Sequence, residues 1–385
     1  MKTTALSNTY QQFINSFSIF FIYFAVNSLF IIKYGEHYNM ILLAGYLFLM
    51  FGLGIFYMRI NLKDIFYKSA FWISVSIFFL FSIYLNYKVD GNSLNVDRWS
   101  AMEVGIKAVF SGQYPYNIPD HMGQESSNLP VLMMFGMPFY MLFGSVGYLQ
   151  SFSFLLFSYL IYKIFEDYRQ RLAVLLLLLL SPGYLWEVYV KSDLFSNFIV
   201  VAGFTYLIWN KFLVNNNLKS GTVSFFTVLI LLTRLSTVIP LIILLFKKFY
   251  HFSSKEKVIF ITVFILAGSG IVYLFFHNAP DFNVIIHHNP LMIQSTKQPL
   301  LLSLSYILLA IIISFRVKTF YQVMAWTGIL LFICVFVPFI LFFIEYGYTD
   351  MITNSFFDLS FFNMSMPFIM LALGLGIFKN KYKEG

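Results

Sequence analysis

The residues able to do chemistry are few, and they lie between long apolar runs. Asp97 stands before Arg98-Trp99-Ser100, at the head of a stretch with helical periodicity. Two roles are open to it, and they do not exclude each other. An aspartate at a helix start caps backbone N–H groups. A carboxylate held there can also be a general base at the membrane surface, taking a proton from a hydroxyl while a lipid-bound reactant sits beside it. Asp90 is the rival base, and the Gly91-Asn92 that follows predicts a turn starting there. Arg234, in LLTRLSTVIP, is a guanidinium between apolar runs, a costly placement without a partner. It suits a phosphate, with Ser236 and Thr237 as further donors, or else a structural ion pair with Glu187 or Asp193. His287 and His288 are adjacent, so their rings point apart and make a poor chelating pair. Either suits a hydrogen bond to phosphate, and the plain alternative is a polar surface loop. Arg98, Glu187, Lys191, Asp193 and Asp358 complete the candidates for a polar substrate, although most of the acids are expected to be solvated.

The elements that must position these residues follow from composition. Of 385 residues 59% are hydrophobic and 11% charged, against roughly 25% charged in a soluble domain. A soluble enzyme, a disordered chain and a disulfide scaffold are thereby excluded. The apolar runs are continuous rather than alternating, which excludes a β-barrel. What remains is an all-α polytopic membrane protein. The net charge of +8 then speaks of membrane sidedness, not of nucleic acid. The single cysteine, Cys334, lies in an apolar run, and no Cys/His ligand cluster, Walker motif or nucleotide-binding glycine loop is present. No metal or cofactor is expected. The first apolar run reads as a retained helix, not a cleaved leader.

Apolar runs predict twelve crossings: 12–32, 39–58, 69–87, 146–165, 172–185, 194–210, 220–233, 235–248, 257–277, 300–315, 320–344 and 360–377. The whole reads as one membrane domain, with an N-terminal helical pair over 1–68, a large outer loop over 88–145 and the remaining spans after it. With the N-terminus inside, most basic residues gather on the inner face, in clusters such as Lys247-Lys248-Lys255-Lys257, while most acids lie outside. Lys2, Lys379, Lys381 and Lys383 count as inner and Lys297 as outer. That bias favours two short helices turning near Arg234 over one long helix across 220–248. It also places 131–145, with its Gly136-Met137-Pro138 break, on the outer surface. From Arg98 to Phe110, Trp99, Met102, Ile106, Val109 and Phe110 share one side, and Glu103 and Lys107 lie on another. This predicts an amphipathic helix lying in the interface, with Trp99 at headgroup level. Tyr184, Trp186 and Tyr189 fit an interfacial aromatic belt or a sugar-stacking surface. Short helices at 172–185 and 220–248 predict a cavity, because broken helices persist only where protein or water satisfies their backbone.

The run VDRWSAMEVGIKAVFSGQYPYN, followed by NLPVLMMFGMPFY, resembles the first outer loop of the GT-C glycosyltransferases. It is most similar to polyprenol-phosphate-mannose-dependent mannosyltransferases, the PIG-M-like kind among them. The shared features are Asp97 after an early span, the helix 98–110, the G-x-x-P-Y turn Gly112–Tyr116 and the segment led by Pro130. SPGYLWEVYVKSDLFSNFIVV and LLTRLSTVIPLIILLF resemble the family's two later hairpins. The chain departs from the pattern in its two extra early spans, in Lys191-Ser192-Asp193 where a G-Q-x-D-like turn is usual, and in a single proline at Pro130. The resemblance implies a polyprenyl-phosphate-linked monosaccharide donor, a lipid or glycan acceptor, and inverting transfer on the outer face. Asp97 would be the base, and Arg234 with His287 or His288 would hold the leaving phosphate. A transporter or flippase for lipid-linked saccharide, or an O-antigen polymerase or ligase, are the alternatives.

Overall fold

The computed structural model describes residues 2–377 apart from 60, 296 and 297, with side chains from residue 18 onward except Met58. Lys297, Lys379, Lys381 and Lys383, and the side chain of Lys2, lie outside that description. The described chain is all-helical. In order come α1 (Lys2–Tyr34), α2 (Asn39–Arg59), α3 (Asp64–Lys88), α4 (Arg98–Phe110), α5 (Pro130–Phe143) and α6 (Tyr148–Ile164). Next come α7 (Tyr168–Leu179), α8 (Pro182–Tyr189), α9 (Leu194–Ile208), α10 (Ser220–Leu231), α11 (Val238–Tyr250) and α12 (Ser254–Phe276). The chain closes with α13 (Phe282–His287), α14 (Pro290–Ser295), α15 (Leu300–Arg316), α16 (Phe320–Tyr348) and α17 (Met366–Ile377).

Among the described residues five helical stretches are long and apolar enough to cross a membrane, and up to 8 if each bent pair counts as one span. They include Asp64–Lys88, Ser254–Phe276 and Phe320–Thr353. Their outward faces carry large apolar side chains such as Phe48, Leu266 and Leu301, all well exposed. Exposed apolar surface on this scale needs a lipid neighbour, and these helices fit an integral membrane protein.

The bent pairs are informative. The 172–185 run is interrupted: α7 ends at Leu179 and α8 starts at Pro182, turned by 61°. The 220–248 run is likewise two helices, with the break at 232–237 around Arg234. The expected break at Gly136-Met137-Pro138 is absent, because α5 runs through it and stops at Gly144, which takes the left-handed backbone at φ +71°. Nor does the first half of α5 lie on the surface. Val131, Leu132, Met133 and Gly136 are buried, and a Cβ on Gly136 would stand 2.5 Å from the Met102 sulfur. The glycine lets α4 and α5 approach closely.

The residues sort into two compact units. The first takes the chain up to residue 80, 157–187 and 324 onward. Within it α17 is buried on all sides and packs on α1 and α7, as an all-round apolar helix must. The α7–α8 break exposes backbone that the two helices cannot satisfy themselves. Asn27 of α1 supplies the partner: its Oδ1 accepts from Ser181 Oγ at 2.7 Å and from the Gly183 N–H at 3.3 Å, while its Nδ2 donates to Tyr23 O. Asn363 Nδ2 donates to Gly183 O and to Glu187 Oε1. Asn27→Leu is therefore expected to cost about 1–3 kcal/mol, since buried groups lose their only good partner. Thermal unfolding of the purified variant checks it.

The second unit takes 81–156 and 188–323. Its helices pair face to face, α10 on α12 and α11 on α15. Ser224 Oγ donates to Phe260 O across the first pair, and the Lys247 N–H donates to Ser314 Oγ across the second. Between α4 and α5 runs the polar segment 111–129, on which the site depends.

Candidate functional site

The site begins with α4. Asp97 occupies the N-cap position, and its carbonyl accepts from the Ala101 N–H and from Ser100 Oγ, both at 2.8 Å. Its side chain makes no capping hydrogen bond, so the expectation of a side-chain cap is corrected. The reason is the backbone: Asp97 has ψ −17°, already helical, whereas a capping side chain needs an extended backbone to reach back. Asp97 and Arg98 are both half-buried. Asp90 is exposed and accepts from the Asn92 N–H at 3.0 Å, starting the expected turn.

Nor does α4 lay its apolar face on a lipid surface along most of its length. Trp99, Met102 and Ile106 are buried against Tyr114, Tyr116, Leu132, Met133, Val146 and Phe275. Only Phe110, at the far end, remains exposed. Trp99 is 8% exposed, and its ring lies so close to Gly91 that a Cβ there would be 2.4 Å from the indole. The headgroup position expected for Trp99 is thereby corrected. Gly112, left-handed at φ +67°, turns the chain so that Tyr114 and Tyr116 fold beneath the helix.

The segment 111–129 then acts as a hub. Asp120 accepts from the N–H groups of Met122 and Gln124, and its other oxygen lies 3.3 Å from Ser100 Oγ. His121 Nδ1 is 2.6 Å from Ser100 Oγ, and its ring packs against Trp99. Glu125 Oε1 is 2.6 Å from His288 Nδ1. Tyr114 OH donates to His288 O at 2.7 Å. Gln294 Nε2 donates to Ser127 O, and Gln294 Oε1 accepts from the Leu235 N–H, so the segment 288–294 is tied to the α10–α11 break. The Val131 N–H donates to Leu232 O in that same break.

Arg234 is the centre of this arrangement. It is 4% exposed, and its Nη2 is 2.5 Å from Asp193 Oδ2 and 3.4 Å from Asn128 Oδ1. The pair answers the demand that a buried guanidinium find an acid. Thr237 is not a spare donor, because its hydroxyl bonds to the carbonyls of Ile230 and Arg234. Beside the pair a crevice too narrow to admit a water molecule is lined by Trp99, Gln150, Lys191, Ser192, Asp193 and Ser196, with Met102, Val146 and Leu149 as its apolar side. Gln150 Nε2 donates to Ser192 O. Gly147 has no room for a side chain, since a Cβ would meet Asn86 at 2.3 Å and Lys191 at 3.1 Å.

Several buried polar atoms here have no hydrogen-bond partner: Asp193 Oδ1, Arg234 Nε, Ser192 Oγ, Trp99 Nε1 and the side-chain amides of Asn86 and Asn197. A folded protein holds only a few such atoms per hundred residues. Here eight of them gather around the Asp193–Arg234 pair and Lys191.

Lys191 adds a charge. It sits in the left-handed region at φ +57° and is 8% exposed. Burial holds its pKa below the usual 10.5, and Glu103 and then Asp90 draw it part of the way back. Burial likewise raises the Glu103 carboxyl, against the Val146 N–H, Ser145 and Lys191, which favour its charge. The folded chain gives up the Lys191 proton more readily than the unfolded chain. This group's contribution to stability therefore rises with pH, between its depressed value and 10.5. The wild type is expected to gain thermal stability on Lys191→Met across that window, and a pH-independent difference would remove the buried-amine assignment.

Of the remaining candidates, His287 is exposed while its neighbour His288 is half-buried. Glu187 and Asp358 belong to the first unit. Glu187 is fully buried on Asn363, contrary to the solvated acid expected. Asp358 caps the turn at Ser360, accepting from its N–H and its hydroxyl. Tyr184 is core rather than belt, at 0% exposure, while Tyr189 is exposed. Sequence reasoning missed Asn86, Ser100, Glu103, Asp120, Glu125, Asn128 and Gln150. The polar density of NIPDHMGQESSN was a legible signal for the hub, but not for its partners. Among the described residues no three His, Cys, Asp or Glu side chains gather where a metal could sit. Comparison with protein-family models, curated proteins and solved structures returns no match.

Proposed function

We propose that the chain is a membrane glycosyltransferase of GT-C type, with about twelve crossings. It moves a monosaccharide, a hexose such as mannose, from a polyprenyl-phosphate donor to a lipid or glycan hydroxyl on the outer face. The observation that supports this reading most is the buried Asp193–Arg234 centre, with its surplus of unpartnered polar atoms beside a crevice. It lies where two helical runs break and where the loops bearing His288 and Asn128 converge. A purely structural ion pair accounts for Arg234 Nη2 and Asp193 Oδ2. It leaves Arg234 Nε, Asp193 Oδ1, Ser192 and Asn197 without a purpose.

In the proposed reaction Asp97 takes the proton of the acceptor hydroxyl. The oxygen attacks the anomeric carbon from the face opposite the phosphate, and the bond to the phosphate oxygen breaks with its electron pair. The products are an inverted glycoside and polyprenyl phosphate. Arg234 and Lys191 oppose the charge that grows on the leaving phosphate, and fixed groups in a dry site give such stabilisation its largest effect. Trp99, two residues after Asp97, lines the crevice, which must widen before its ring can meet the sugar. No nucleotide fold is needed, because the donor arrives through the lipid.

The test is transfer from radiolabelled polyprenyl-phosphate sugars to a lipid or glycan acceptor extract by the purified protein. Label moving into the acceptor supports the reading. No transfer from any donor, with protein shown to be folded, sinks it and favours a carrier of lipid-linked saccharide.

A further inference from the structure

At the end of α11 remote from Arg234 lies a second cavity, of about 210 Å³. A six-residue π-helical turn, Trp209–Val214, follows α9 and forms one side of it. Such turns replace the regular ladder and are frequent at functional sites. Leu213, Ile243, Leu244 and Val317 make the wall apolar, and Lys247, Lys248, His251 and Ser314 make the rest polar. Ser314 is 2% exposed, and its oxygen accepts the Lys247 N–H at 3.1 Å, which leaves the hydroxyl able to donate. Lys248 Nζ lies 5.6 Å from the Phe212 ring. The acid facing these lysines is Glu256, which is exposed and closed into a capping box with Ser253. Lysines in a last helical turn also complement the carbonyls there, and long basic side chains reach for the interface in any case. Neither effect requires a cavity, nor a buried hydroxyl beside the lysines.

We propose that this cavity is a binding site for the phosphate headgroup of an anionic membrane lipid. The volume is about seven water volumes, enough for a phosphate and a glycerol unit. Lys247 and Lys248 meet the phosphate charge, Ser314 donates to one of its oxygens, and the apolar wall takes the start of an acyl chain. The basic cluster from Lys247 to Lys257 places this end at the inner face, where anionic lipids gather. The site stands apart from the transferase reading and does not depend on it.

The experiment titrates phosphatidylglycerol into phosphatidylcholine nanodiscs holding the full chain, with retained lipid read by native mass spectrometry. Phosphatidylglycerol is expected to stay bound and inorganic phosphate not to displace it. Lys247→Gln/Lys248→Gln is expected to weaken retention roughly 30-fold, about fivefold per lysine. Leu213→Trp, which fills the cavity with both lysines intact, is expected to abolish retention. Unchanged retention in either variant, with a wild-type elution profile, would overturn the proposal. Full displacement by inorganic phosphate would overturn the lipid as the source of the anion.

Discussion

Asp193→Ala is expected to lower stability by about 3–5 kcal/mol, the largest single loss at the site. The substitution leaves Arg234, 4% exposed, as a buried charge with only a long contact to Asn128. Breaking one side of such a pair costs far more than the pair itself contributes, because the remaining charge stays desolvated. The double variant Asp193→Leu/Arg234→Met removes both charges and is expected to recover most of that loss. Thermal and denaturant unfolding of the two proteins measure it. The pair then separates structure from function: if the double variant is stable and inactive, the charges are kept for chemistry. Full turnover by that variant would remove Arg234 and Asp193 from the mechanism.

Asp97→Asn is expected to cut transfer by about 10²–10⁴-fold, the range a positioned general base supplies. The thermal midpoint should move much less than the rate, because asparagine keeps the size and an accepting oxygen of the side chain and the end of α4 does not use this carboxylate as a cap. A capping role would show the opposite pattern, with stability lost and turnover kept. The same assay on Asp90→Asn locates the base, since asparagine preserves the turn that Asp90 makes with Asn92. Loss in Asp90→Asn and not in Asp97→Asn would move the base to Asp90.

Helices were legible wherever the signal is local. Apolar runs located α2, α3, α12, α15 and α16, and the charged gap located the break at Arg234, while the break at Pro182 falls inside the single crossing expected over 172–185. What local pattern could not carry was which polar group satisfies which. Glu187 reads as a loop acid, yet it is buried, because its partner Asn363 comes from 176 residues away. Trp99 sits on an amphipathic helix that looks made for a lipid surface, but Tyr114, Tyr116 and Met133 cover that face instead. The moment of a helix says that a face is apolar and is silent on what covers it. Arg234 was legible as a residue in need of a partner, and Asp193 was one of two acids within reason. The partners of Asn128 and Glu125 were not legible, since both residues lie in a polar segment folding over the ends of distant helices.

The shortness of α10 and α11 bears on the bilayer itself. α11 has 13 residues and α10 has 12, so they rise about 20 Å and 18 Å along their axes. A bilayer's hydrocarbon layer is about 30 Å thick. Charged residues bracket both helices: Lys219 before α10, Arg234 between them, Lys247 and Lys248 at the end of α11. If these helices cross, the slab beside them is thinner than the membrane around it by roughly 10 Å, or protein fills the difference. The segment tied to the α10–α11 break through Gln294 and Val131 is protein in that position. The consequence is that protein, not lipid, borders Arg234 at this level and keeps its guanidinium on Asp193 at 4% exposure.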